Sequence, residues 1–526
     1  MSKALGMAKA SARSGFNVFW GLFISTVISA VGVIIVARLL SPSEYGIVTV
    51  ALTAPNLIQI FRDWGLDTAM IRYTAHYRSE GKSTDAEHIL ITGLVFEIIL
   101  GLTLTILSVL LSGILAVNVF ERPDTKSLIQ IASLNIFAGA LTTAAQSAFF
   151  GVERMDLNSI MMVVQSCVTT VSMTLLIILG LGTYGAIVGT TIAALITGLI
   201  GILIMLKLLR SPKKSNGDRL RIVEHMRTMF KYGLPLSLSA IIGGFLTQFY
   251  QFMIVIYATD LMIGNYSVAT NFGVLVTFLS IPISTTLFPT FSKLDSQKDG
   301  KTLRDVFKFS VKYGAFLVVP AAAFIMTLSQ PVVSTIFGEE YSYAPLFLAM
   351  LTISYLYSAF GSLSVGNLIN SQGKTKVNLI LTLVSSAIGL PLSLILIPRF
   401  GVAGLIVTSL IAGVPSLILE LRWVKTNFGV TVDWVSSAKI LLSSGTAAVI
   451  TYLVLSQLSL SSWMRLIVGG TIFLFVFIVA NIVVRTMNKS DRNNIKEISK
   501  DLGPLHYLID VLLKIILKMA TVLQRR

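Results

Sequence analysis

The sequence predicts an all-α integral membrane protein of about 14 transmembrane helices. Two parallel six-helix lobes, related by a pseudo-two-fold axis along the membrane normal, are followed by two extra C-terminal helices. Three observations carry this expectation: composition, the spacing of apolar runs, and an internal repeat. Of the 526 residues, 54% are hydrophobic and 13% are charged, about half the charged share of a soluble domain. Mean hydropathy is +0.81.

A hydrocarbon core about 30 Å thick demands apolar helices of roughly 20 residues. Runs of that kind centre near residues 27, 54, 100, 139, 169, 196, 243, 276, 320, 357, 387, 411, 446 and 476. The first has a basic start but continues to Leu40 without an evident cleavage site, so it reads as a retained span. Pro55, Pro282 and Pro391 interrupt three others, which membrane helices tolerate when neighbours satisfy the freed backbone groups. Placing both termini in the cytoplasm leaves only Arg38, Arg122, Lys126, Arg399 and Arg465 of the 41 basic residues on the outer side, as the positive-inside rule requires. The net charge of +16 is therefore topological. Its residues flank helices and face anionic lipid, which argues against nucleic acid.

The resulting division is an N-lobe at 1–210, a basic cytoplasmic linker at 211–229, a C-lobe at 230–430, two further spans at 431–488 and a tail at 489–526. The tail segment "LHYLIDVLLKIILKMATVLQRR" is too short and too charged for another span. His506, Asp510, Lys514, Lys518, Thr521 and Arg525 share one helical face there, as in an amphipathic helix lying in the cytoplasmic interface.

Covalent catalysis finds no support. Cys167 is the one cysteine, the four histidines fall in separate segments without metal-ligand spacing, and no GxSxG, Walker or HExxH pattern occurs. Neither a cofactor nor a metal is expected, and the short outer loops offer a glycosyltransferase little metal-binding acid. Duplication is visible instead. "GTYGAIVGTTIA" from Gly182 and "GVAGLIVTSLIA" from Gly401 match at six positions, and "GIVTVA" from Gly46 matches "GNYSVA" from Gly264 at nearly the same offset. Six spans separate the copies, so both halves point the same way, a recurrent transporter design with the substrate site between halves.

"ARLLSPSEYGIVTVA", "FRDWGLDTAMIRY", "AQSAFFGVERMDLNSIMMVVQS" and "NLINSQGKTKVNLILTLVSSAIGLPLSLILIPRFGVAGLIVTSLIAG" occur in this order along nearly the whole chain. Together they resemble Wzx-type polysaccharide flippases of the multidrug/oligosaccharidyl-lipid/polysaccharide exporter superfamily. The resemblance implies movement of a polyprenyl-linked oligosaccharide from the inner to the outer leaflet of the cell membrane, with membrane lipids and glycan polymerase or transferase machinery as partners. A cation-coupled drug antiporter and an integral-membrane glycosyltransferase or polymerase stand as alternatives.

On one continuous helix, Asn56, Gln59, Asp63 and Asp67 fall within about 80° of one another and form a polar stripe. Such a stripe belongs in an interior or a wet cavity, because unsatisfied groups in hydrocarbon cost several kcal/mol each. Asn17, Gly21, Ser25, Ser29 and Gly32 offer a matching face on the first span, and Gln248, Gln251 and Asn271 extend the cavity in the second half. Amides and hydroxyls suit sugars. A pyrophosphate needs cations, for which Arg38, Arg62 and Arg72 are the candidates. Each also has a structural reading as an interface or loop charge. Glu97, the charged residue nearest the middle of a span, is a candidate for coupling to H+ or Na+ or, protonated, a structural hydrogen bonder.

Overall fold

The computed structural model describes residues 2–62, 64–209, 222–294 and 298–486, with side chains from Val18 onward apart from some positions between 235 and 289 and residue 375. All regular structure among them is helical: α1 Ser2–Leu39, α2 Pro42–Gln59, α3 Leu66–Ser79, α4 Ser83–Ile114, α5 Lys126–Gly151, α6 Met155–Leu176, α7 Gly182–Leu209, α8 Ile222–Tyr257, α9 Asp260–Ser292, α10 Gly300–Thr327, α11 Ser329–Ile336, α12 Ala344–Leu356, α13 Ser362–Ser371, α14 Thr375–Phe428, α15 Trp434–Ser456 and α16 Ser462–Val484. Most of the linker expected around Pro212 and the whole amphipathic tail lie outside the described residues.

Among the described residues, eight helical segments are long and apolar enough to cross a membrane, or nine if the bent pair Ala344–Phe360 and Ser362–Ser371 is taken as one span. Two of the eight, Met155–Leu209 and Lys376–Phe428, run to 55 and 53 residues. A straight helix of that length would measure about 80 Å, far beyond one bilayer core. Each is divided by a glycine instead. Gly182 adopts φ 49°, ψ −127°, and Gly401 adopts φ 54°, ψ −128°. These are the two glycines that open the sequence repeat, and their near-identical angles show the duplication in the backbone itself. The packing repeats as well: a Cβ on Gly185 would strike the Leu176 backbone, and one on Gly404 the Leu396 carbonyl. Side chains strain at such angles, so Gly182→Ala and Gly401→Ala are each expected to cost about 1–3 kcal/mol. Melting of the detergent-solubilised protein reads this out, and unchanged melting would refute it.

The second expected span is not one continuous helix. The Ser41 hydroxyl accepts the Glu44 N–H while the Glu44 carboxylate accepts the Ser41 N–H, forming a capping box that starts α2. The helix passes through Pro55 and ends at Gln59, followed by a single 3-10 turn, Ile60–Arg62. The chain restarts as α3 after Gly65, whose φ is 72°. Gly65 must be a glycine because its Cβ would collide with the Gly233 carbonyl of α8. By contrast, α9 and α14 run on through Pro282 and Pro391.

Two compact units emerge, one of Met1–Asn271 with Ser386–Thr408, the other of Phe272–Ser385 with Ser409–Arg526. In the first, Met70, Ile89, Leu90, Phe149, Met161, Met205 and Met229 form a buried cluster joining α3, α4, α5, α6, α7 and α8. α1 lies along α6, where Gly21 leaves room for Ser159 and Gly32 for Thr170. In the second unit, Phe291, Phe307, Leu368, Leu381 and Val424 make one core cluster. Phe473 and Phe477 of α16 contribute to another beside Ala323 and Ala447.

Candidate functional site

Within the first unit, α2 and α9 meet by a reciprocal contact. A Cβ on Gly46 would collide with the Asp260 carbonyl, and one on Gly264 with the Pro42 carbonyl. Gly46 and Gly264 are repeat equivalents, and so are Pro42 and Asp260 at the same offset of 218. Residue i meets j′ as i′ meets j, which is the signature of a two-fold relation. The equivalents Thr49 and Ser267 touch each other, their hydroxyls 2.8 Å apart, so the pseudo-axis passes between them.

A chamber of about 300 Å³ begins there. Its wall comes from α2 (Tyr45, Thr49, Thr53, Asn56), α6 and α7 (Met173, Thr190), α8 (Gln248, Gln251) and α9 (Tyr266, Ser267, Thr270, Asn271). Asn271 donates to the Tyr45 hydroxyl at 3.3 Å, and Tyr266 hydrogen-bonds Gln251. None of the described residues lining the chamber is charged, and most of them carry an amide or a hydroxyl, with Val48, Leu52 and Met173 adding apolar surface. Along α2 the lining from Val48 to Asn56 falls between two backbone crossings, Gly46 with α9 and Gly65 with Gly233 of α8.

Beyond Asn56, Gln59 and Arg62 face Gly139 of α5, where a Cβ would stand 3.4 Å from the Gln59 Oε1 and 3.9 Å from the Arg62 Nη2. Arg62 Nη1 donates to Glu97 Oε2 at 3.1 Å, with side chains 13% and 5% exposed. Nη2 donates to the Thr143 hydroxyl at 3.0 Å. Its buried Nε–H has no hydrogen-bond partner among the described residues. The phosphate candidate and the ion-coupling candidate thus form one buried ion pair.

The remaining candidates divide. Asn56, Gln248, Gln251 and Asn271 line the chamber, and Gln59 stands beside the ion pair. Ser25 does not join them: it is buried and donates to the Leu22 carbonyl of its own helix, on a helix whose Ser29 donates to Ser166 of α6. Small residues let α1 and α6 approach closely, and that contact consumes the face expected to line a cavity. Asp67 sits beyond the helix break and accepts the Thr68 N–H, so the four-residue stripe is split. Arg72 lies over the Tyr232 ring at 4.0 Å, a cation–π contact. Arg38 is exposed at the far end of α1. The side chain of Asn17 and all of Asp63 lie outside the described residues.

Sequence reasoning missed Thr49, Ser267, Tyr45 and Tyr266. Thr49 and Ser267 had a signal, occupying the same position of "GIVTVA" and "GNYSVA". Arg122 was read only as an outer charge. Its Nε donates to Asp260 at 2.7 Å, and its Nη groups to the carbonyls of Phe120, Val255 and Ala258 at 2.6–3.0 Å. It thereby ties the turn after α4 to the α8–α9 turn. A larger, charged groove of about 660 Å³ opens beside it.

Among the described residues all regular structure is helical and several helices are long and apolar enough to cross a membrane, which defines a multi-pass membrane protein. A family model described as polysaccharide biosynthesis protein matches residues 35–346, and the chain belongs to that family. Agl15 of Haloferax volcanii, named a probable low-salt glycan biosynthesis flippase, is 20% identical over 52% of this chain and 57% of its own length. The chain therefore spans little more than half of that relative. The lipopolysaccharide biosynthesis protein WzxC of Escherichia coli K12 is 23% identical over 68% of this chain and 70% of its own. The fold is similar to that of the lipid II flippase MurJ, a structure described as an inward closed conformation, with TM-score 0.72 and 18% identity over 89% of this chain and 98% of that one.

Proposed function

We propose that the chain is a flippase that carries a polyprenyl-(pyro)phosphate-linked oligosaccharide from the cytoplasmic to the outer leaflet of the cell membrane, for assembly of a surface polysaccharide or glycoprotein glycan. The observation that carries this reading is the uncharged, amide- and hydroxyl-lined chamber, whose chemistry matches sugars, rich in hydroxyls and poor in charge. A drug/cation antiporter would favour acids in that wall, and the described lining has none. At about 300 Å³ the chamber stands at the lower end of ligand-site volumes, so a glycan crosses only when it widens. Alternating access by two lobes, 1–210 and 230–430, supplies that widening, while the lipid tail stays in the bilayer.

Arg62 is the cation proposed for the substrate phosphate, since a buried guanidinium whose Nε–H has no partner among the described residues favours an incoming oxyanion. Phosphate binding would release Glu97, leaving its carboxylate to take up a coupling H+ or Na+. Both termini face the cytoplasm in this scheme, and a glycan polymerase or transferase consumes the product.

Purified protein in liposomes tests the proposal. A lipid-linked oligosaccharide is expected to change leaflet without chemical alteration, and Gln248→Leu with Gln251→Leu to slow it at least about tenfold, as loss of two polar contacts of about 1 kcal/mol each implies. New glycosidic bonds, or dye efflux without glycolipid movement, would refute it.

A further inference from the structure

The N-terminal turns of α4 and α8 bring together three side chains that lie far apart in the sequence. Asp85 and His88, three residues apart, share one face of the first turn of α4. His225 stands in the first turn of α8, with its ring centroid 5.9 Å from that of His88. One ligand atom from each of the three lies within 4.8 Å of the others, and all three residues are half-buried. A tetrahedral ion with ligands at about 2.1 Å sets its donors about 3.4 Å apart, so side-chain rotation alone closes the remaining distance.

We propose that Asp85, His88 and His225 form a binding site for a divalent first-row transition ion, Zn(II) being the reference, that clasps α4 to α8. Two imidazoles and one carboxylate select this class: Mg(II) and Ca(II) take all-oxygen ligands, and Cu(I) takes thiolate or thioether. The Asp85 carboxylate provides negative charge beside the positive end of the α4 dipole. The backbones are already fixed. One turn along, Ile89 and Leu90 of α4 and Met229 of α8 share a buried cluster, and Phe96 packs edge-on against Phe230 at 5.3 Å. The ion thus completes a seam that apolar packing has set. Three protein ligands leave a fourth position for water, as in an open rather than a sealed zinc site. Because α8 follows the linker between the two sequence halves, bound metal joins one half to the other, and this last consequence alone rests on the proposed carrier activity.

The test uses the full chain, purified without a histidine tag, with Zn(II) itself as the probe. Competition against a chromogenic chelator and melting in detergent are followed together. Saturable binding that raises the melting temperature is expected for the wild type. His88→Ala and His225→Ala are each expected to weaken binding at least about tenfold, the loss that removing even an outer-shell partner causes, and to abolish the thermal shift. The half-buried positions let both variants elute as the wild type does in gel filtration, and His88→Gln supplies a milder change. Absence of saturable binding in the wild type, or wild-type affinity in the histidine variants, would overturn the proposal. Neither readout depends on transport.

Discussion

Glu97→Ala is expected to destabilise the protein by about 3–5 kcal/mol, because it leaves the Arg62 guanidinium buried without its counter-charge. Arg62→Ala should also destabilise the protein, because it removes the cation that pairs with a carboxylate only 5% exposed. The informative variant is the double one. Replacing both partners by apolar residues of similar volume, Arg62→Met with Glu97→Leu, removes the uncompensated charge and is expected to restore most of the stability, since such replacements are often neutral or better. Translocation should stay lost, because the proposed phosphate ligand is gone. Melting curves paired with a liposome assay separate the two effects. Recovery of transport with stability would reduce the pair to a packing element, and failure of the double variant to regain stability would place its cost elsewhere.

Gly264→Ala and Gly46→Ala should each push α2 and α9 apart. In both cases the added Cβ collides with a backbone carbonyl, which cannot rotate away as a side chain would. Overpacking of this kind costs about 1–3 kcal/mol or more. The pseudo-two-fold relation adds a sharper expectation: the two losses should be close in size. Combining them should cost less than their sum, because either one already opens the shared crossing. Melting of the two single variants and the double variant checks this. Strongly unequal single effects, or strict additivity, would show that the reciprocal contact does not act as one element.

The repeat was the most legible feature of the sequence. Gly182 and Gly401 were paired from letters alone, and the structure gives them the same rare backbone angles. Asn56, Gln248, Gln251 and Asn271 were legible because an amide amid apolar residues has few places to go except a polar interior. What escaped reading depends on packing between segments distant in sequence. The helix break after Gln59 is imposed by Gly65 passing the Gly233 backbone, so a stripe drawn on an ideal helix ran on to Asp67 where the real one stops. Ser25 was assigned by face, but side-by-side small residues serve helix contact as readily as a cavity, and α6 took that face. Arg62 and Glu97 were each singled out and never joined, since a separation of 35 positions hides the pairing. His88 and His225 were set aside for the same reason.

A carrier of this kind requires Asn56, Gln248 and Gln251 to line a water-reachable passage. Single cysteines at these positions, in a protein whose own Cys167 is replaced by serine, can be challenged with a membrane-impermeant thiol reagent from either side of sealed vesicles. Each cysteine is expected to react, with substrate changing the side from which it does so. If all three stay unreactive from both sides, with and without lipid-linked oligosaccharide, the chamber is a sealed packing defect and the carrier mechanism is contradicted.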